Sequence, residues 1–383
     1  MSRIEKKDWV SSFNLIGAAK VNDYTFKIDQ RKENSLWQYN QLSLAVDCGE
    51  KHGVVYAEMM GGYDTENNSV IYAHGKNEDG NDNFDDKIMV AWEDRFNDSI
   101  LQDIGDLSFI TVGLEKTTNE KVFYKKFLSA YDAIAYIHEH LEDGMVVNVK
   151  GNLKYSKYND NVQVRKNITS IVLSKVNEPS KYIAKFMQSI LLDKDSIGVI
   201  DKARGVIPIN ARVLDYVKEM GGTEIKGQYP FNKTFEYEVD LSDERLVQKI
   251  KDKLFKVRND VTQINFEGNF IESGATVTAT EDDIPDDIKE LIEINVYTLE
   301  EALAKCSENG NKEQRMILKK PVIRMIGNEN EKRPVVQKFE KRYKESDLIV
   351  SLDVKKSKTE DVPEESSSVS DDDTDSMDWL NSL

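Results

Sequence analysis

At 383 residues, 32% charged, 39% hydrophobic and with a formal net charge of −17, the chain is long enough for two or three domains and apolar enough to bury a core. No apolar run approaches the ~20 residues of a membrane span, and the start, MSRIEKKDWV, lacks a secretory apolar stretch. Cys48 and Cys306 fit neither a zinc spacing nor a disulfide framework, so the expectation is a cytoplasmic protein with reduced thiols.

Residues 8–60 alternate like strands, with a polar loop at 29–35 and a hairpin around the turn DCGEKHG. Residues 61–100 are rich in Gly, Asn and Asp and read as a surface insertion. Ser129 opens a helix through the capping-box form SAYD; Ile134, Ile137 and Leu141 share one face and Gly144 closes it. Residues 146–173 alternate, turn at Asn159-Asp160 and alternate back.

The second half repeats the plan. Strands are predicted at 185–193, 205–217 and 233–240, a helix at 242–255, then a strand from 262. VNVKGNL (147–153) and INFEGNF (264–270) share one pattern after a helix, which points to a structural repeat. Two short helices are predicted at 285–292 and 298–306, and a last strand at 314–326. Each half thus runs strand, strand, strand, helix, strand, strand, the order of a five-stranded Greek-key OB barrel; an open α+β sheet shares that order. Gly151 and Gly268 fall mid-strand, where a small barrel needs a bulge or bend. The expected fold is mainly β (α+β): two OB-fold-like barrels with helical insertions and a disordered acidic tail. The expected units are 1–176, 177–330, a basic linker or extension 331–355, and the tail 356–383.

Charge is uneven. Nine acids fall between Glu360 and Asp378, and no Lys or Arg follows Lys358, so roughly half the net charge lies in a Ser-rich segment too poor in apolar residues to offset its ordering entropy. In contrast, 150–166 carries five cations (Lys150, Lys154, Lys157, Arg165, Lys166) and one acid, with Tyr155 and Tyr158 near the turn. Cations neutralise phosphates and release counterions, and exposed rings stack on bases with little sequence preference. In an OB barrel this hairpin and the loop between the first two strands frame one groove. That loop brings Arg31, Lys32, Trp37 and Tyr39. A solvated hairpin with its tyrosines packed on the barrel end is the competing explanation. In the second half the cations from Lys249 to Arg258 are interspersed with acids and read as a solvated helix face; KFEKRYK (338–344) reads as a linker helix or an extension of the track.

Signals for catalysis are weak. His138 and His140, two apart on a helix, do not share a face. There is no phosphate-binding glycine loop, nucleophile elbow or Cys/His pair, and an acidic run such as Asp371–Asp373 cannot fix a metal's octahedral geometry. No enzyme, metal or cofactor is expected.

The hairpin VNVKGNLKYSKYNDNVQVRKNITSI and the terminal SDDDTDSMDWLNSL resemble phage and bacterial single-stranded DNA-binding proteins. The resemblance implies an OB-fold whose acidic tail recruits replication and recombination partners, here through Asp371, Asp372, Asp373, Asp375, Trp379, Leu380 and Leu383. The tip departs from the bacterial Asp-rich Pro-Phe ending, which makes a phage-encoded protein in a host cytoplasm as fitting as a bacterial one. The expected function is non-sequence-specific single-stranded DNA binding without membrane contact. The alternatives are a virion or scaffold protein built from barrels, and a subunit of a nucleic-acid enzyme.

Overall fold

The computed structural model describes residues 4–31, 33–158, 161–220, 223–258, 260–273, 313–327 and 332–348, with 284, 289, 292, 298 and 299. The helices predicted within 285–306, apart from those scattered positions, the Asn159-Asp160 turn, Cys306 and the tail lie outside the described residues.

In the first half, alternating residues form β1 (Ser11–Lys20), the short β2 (Phe26–Arg31), β3 (Trp37–Asp47) and β4 (Val54–Asp64). An excursion follows: a hairpin of β5 (Val70–Lys76) and β6 (Asp82–Ala91), the single turn α1 (Asp98–Leu101), and a second hairpin of β7 (Ile110–Lys116) and β8 (Val122–Phe127). The chain then enters α2 (Ala130–His140), capped by the Ser129 side chain accepting from the Tyr131 amide, and the hairpin of β9 (Val146–Tyr158) and β10 (Asn161–Leu173). Strands β1, β3, β4, β10 and β9 close on themselves, with β4 and β10 parallel and the other neighbours antiparallel. That is the five-stranded barrel the element order predicts, with α2 between its third and fourth strands.

The second half builds β11 (Ile183–Leu192), β12 (Val206–Met220), β13 (Thr223–Glu238), α3 (Glu244–Ile250), β14 (Thr262–Ser273) and β15 (Glu313–Pro321). The circuit β11, β12, β13, β15, β14 closes in the same way, again with one parallel pair, β13 with β15. β13 begins ten residues before the predicted start at 233. The added residues include Pro230, opposite Leu214 of β12 on a stretch of β13 that has no ladder partner on its other edge among the described residues, an edge position of the kind to which a strand proline is confined.

The two VxxxGN-type strands are β9 and β14, and they occupy the same place in the two barrels. Gly151 lies opposite Phe13 of β1, and Gly268 opposite Phe186 of β11. A Cβ on Gly268 would come within 2.2 Å of the Phe186 ring, and one on Gly151 within 2.8 Å of the Phe13 ring. A bulge lies beside each glycine, between Ile168 and Ser170 and between Glu267 and Gly268. The barrels join edge to edge, since β1 also pairs antiparallel with β11, Phe13 directly opposite Phe186. One continuous apolar core runs through both barrels, from Leu15, Leu44 and Val149 to Phe186, Phe235 and Phe266.

The predicted helix or track at 338–344 is instead β18 (Lys338–Phe339), reached through the ribbon β16 (Ile323–Ile326) and β17 (Arg333–Val336), followed by a bend. Its basic groups fasten the amino-terminal arm: Arg342 donates to the Lys7 carbonyl and pairs with Asp8 at 2.6 Å, and buried Tyr343 donates to the Glu5 carbonyl at 2.8 Å.

A buried ion pair also ties the barrels. Lys166 of β10 meets Glu272 of β14 at 2.5 Å, and its ammonium lies 4.8 Å from the Phe270 ring. Removing one partner strands a buried charge, whereas replacing both by apolar groups removes the desolvation cost as well. Lys166→Met should therefore cost about 3–5 kcal/mol in urea unfolding, and Lys166→Met with Glu272→Leu should return to wild-type stability or above. A single-variant cost below about 1 kcal/mol would mean the pair is not holding the barrels.

Candidate nucleic-acid interface

Period-two alternation decides which hairpin residues are available. Lys150, Asn152 and Lys154 point outward from β9, while Val147, Val149, Leu153 and Tyr155 point inward. Tyr155 is 4% exposed. Its hydroxyl donates to Gln188 Oε1 at 2.9 Å and its amide donates to Asp215 Oδ2 at 2.8 Å. Burial, and then the charge of Asp215, raise its phenol above the ordinary range. Tyr155 therefore cannot stack on a base, which corrects its assignment as a binding residue. Lys166 is corrected for the same reason: it is in phase with inward-facing Ile168, 5% exposed, and committed to Glu272.

The remaining hairpin groups stay accessible. Lys154 is half exposed and shares Asp215 with Lys6, at 3.5 and 3.2 Å. Arg165 reaches across to Glu58 of β4 at 3.8 Å. Tyr158, 40% exposed, and Lys157 lie at the hairpin end. There Lys157, Asn161 and Val162 face Tyr229 to Thr234 of β13 across a cleft of roughly 420 Å³. Lys233 in that cleft has its ammonium pKa lowered by burial and by the like charge of Lys166.

Strands β3 and β4 present a second set. Trp37 and Tyr39 share the barrel's outer face, and Tyr39 lies opposite Gly62. A Cβ on Gly62 would meet the Trp37 ring at 2.9 Å, so the indole lies against the strand; it is 44% exposed. Tyr56 and Met60 continue the same outer face, each about half exposed. Both went unpredicted, although Val55, Ala57 and Met59 alternate with them and are buried. Glu58 sits between them, its carboxyl pKa raised by burial against the opposing pull of Arg165 and Lys166. Arg31 is exposed at the end of β2 opposite Gln38, out of phase with Tyr39, and its Nε donates to the Ser35 carbonyl at 2.5 Å. Lys32 and the tail residues Asp371, Asp372, Asp373, Asp375, Trp379, Leu380 and Leu383 lie outside the described residues.

The structure thus gathers Trp37, Tyr39, Tyr56 and Met60 on one face, with Arg165 linking it through Glu58 to Lys154 and Lys150 on the outer surface of β9. It separates Arg31 from that face. Among the described residues no helix is long and apolar enough to cross a membrane, and no group of three His, Cys, Asp or Glu is placed to hold a metal ion.

No protein-family model and no curated protein matches the chain. Among solved structures it is similar to the wild-type single-stranded DNA binding protein from Thermus aquaticus, at 10% identity and a TM-score of 0.29, over 70% of this chain and 87% of that one. A deletion mutant of the same protein aligns at 12% identity and the same TM-score of 0.29, over 71% and 89%. A TM-score of that size does not superpose one site on the other.

The two tyrosines of the hairpin should separate cleanly. Tyr155→Ala removes a buried ring and should cost about 3–5 kcal/mol of stability, whereas Tyr158→Ala should stay within about 0.5 kcal/mol. Chemical denaturation of both variants checks this; equal losses would contradict the burial assignment.

Proposed function

We propose that the chain is a non-catalytic single-stranded DNA-binding protein that acts in DNA replication or recombination. The observation that carries this reading is the outer face of β3 and β4, where exposed Trp37, Tyr56 and Met60 and half-buried Tyr39 line the part of an OB barrel that suits oligonucleotides. The rings offer stacking surfaces without sequence preference, and Lys150, Lys154, Lys157 and Arg165 supply the flanking cations for phosphates. The face is open and rimmed by the basic hairpin, which fits a flexible single strand that can splay its bases. The acidic segment after residue 358 is read as a tethered competitor for those cations. At the high effective concentration of a tethered ligand, weak charge attraction suffices to occupy the site. Displacement by DNA would free Trp379, Leu380 and Leu383 to recruit partner proteins. A phage origin fits the same reading.

Anisotropy titrations with oligo-dT and with duplex at two salt concentrations test it. Binding should favour single strands and weaken steeply with salt, and Trp37→Ala and Tyr56→Ala should each cost about 1–3 kcal/mol. Equal affinity for duplex would sink the reading. Deleting 359–383 should tighten binding at low salt, with the gain shrinking as salt rises; no gain would remove the competitor role.

Glu58 sets a pH dependence. Its raised pKa means that the neutral acid is populated at higher pH than for an ordinary carboxyl, and a nearby phosphate would push it further up. Binding then takes up a proton, so affinity should rise as pH falls from neutral into the mildly acidic range. Glu58→Gln should bind more tightly at neutral pH and lose that component of the pH response. A pH profile identical in wild type and variant would place the ligand away from this face.

A further inference from the structure

Beyond the barrel's own strands, the outer face continues through β7 and β8. Ser170 of β10 lies opposite Lys150 of β9 and beside Thr111 of β7, and Thr111 lies opposite Lys126 of β8. Lys150 points outward, and Ile171, next to Ser170, is fully buried, so this four-strand rung lies on the barrel exterior. It places two cations at the ends of a row of small hydroxyls, three strand spacings or about 14 Å apart. On the neighbouring rung Val172 lies beside Gly113. A Cβ on Gly113 would meet the Tyr124 ring at 3.1 and 3.2 Å. The phenol of Tyr124 therefore lies against the strand, one side covered by backbone, and the residue is 57% exposed.

That arrangement repeats Trp37 on Gly62, an aromatic ring on a glycine on the same continuous outer surface, and here Lys126 lies two residues from the ring on the same strand face. We propose that a single-stranded nucleic acid bound on β3 and β4 continues over β10 and β7 and stacks a base on Tyr124, with Lys126 and Lys150 taking phosphates. The proposal rests on the nucleic-acid reading above and extends its site to elements outside the five-stranded barrel. Lys126 now pairs with Asp106 at 3.0 Å, both side chains being about half exposed or more. Exposed pairs of this kind are weak, so a phosphate can replace the carboxylate. Glu115, the nearest acid on β7, is turned to the opposite face, where it accepts from the Tyr136 hydroxyl and lies 3.4 Å from His140.

The test uses the full chain and labelled oligo-dT of two lengths, about 8 nucleotides, enough for one OB face, and about 30. Tyr124→Ala should leave the short oligomer's affinity within about twofold and weaken the long one roughly tenfold, the loss of one stacked base. Lys126→Gln should lower the salt slope for the long oligomer alone, by about one phosphate contact. Tyr124→Phe keeps the ring and should restore long-oligomer binding, which guards against a folding defect in the alanine variant. If Tyr124→Ala binds the long oligomer like wild type while Trp37→Ala weakens both, the track ends at the barrel and the proposal is overturned with the parent reading intact. If wild type shows no preference for single strands, the parent reading fails and takes this extension with it.

Discussion

Ser11 to Ile16 and Ile183 to Gln188 pair as one antiparallel ladder, so the first strand of each barrel is spent edge to edge on the other barrel. That leaves little of either edge for closure. β1 meets β3 over Ala18 to Lys20 alone, and β11 meets β12 at Leu191. Each barrel must therefore be held closed largely from its other side, by β9 on β1 and β14 on β11, and those are the strands that carry Gly151 and Gly268. The phenylalanines at the centre of the seam fit only because those glycines have no side chain. The seam also removes two strand edges that would otherwise invite association with other chains.

The same seam explains why part of the basic hairpin is unavailable for binding. β9 and β10 project across the joint, so their inward positions meet the second barrel instead of water. Tyr155 meets Gln188 and Asp215, and Lys166 meets Glu272. Gln188, fully buried in β11, accepts from both Ser11 and Tyr155 and donates to the Ser189 carbonyl. Buried polar groups are tolerated here because each of these has its partner. Half of the hairpin's alternation thus serves the joint and half faces solvent, which is how one segment reads both as a basic patch and as core.

Much of this was legible in the sequence. Strand order, the α2 cap at Ser129, and the likeness of the two glycine strands all follow from period and punctuation, and those signals are local. The burial of Lys166 was legible as well, because Val162, Val164, Lys166 and Ile168 keep one phase. Tyr155's partner was not: Asp215 is 60 residues away in sequence, on a strand of the other barrel. β8 was missed because KVFYKKF exposes almost every residue and has no buried face to produce alternation, and its hairpin partner β7, with buried Val112, Gly113 and Leu114 in one run rather than in alternation, was missed with it. Gly62 fell within the Gly-rich stretch read as a surface insertion and Gly113 carried no signal; their role as seats for aromatic rings appears only when the neighbouring strand is in register.

An acidic chain can hold a polyanion if the attractive contacts act over shorter distances than the repulsive ones. At physiological ionic strength the Debye length is about 8 Å, so a strand on the β3–β4 face would feel Arg165 and Lys154 more than the distributed charge of −17. Stacking on Trp37, Tyr39 and Tyr56 is shorter in range still and needs no charge. A face built mainly from rings, with cations at its margin and at its centre a carboxyl, Glu58, whose pKa burial raises, suits that balance.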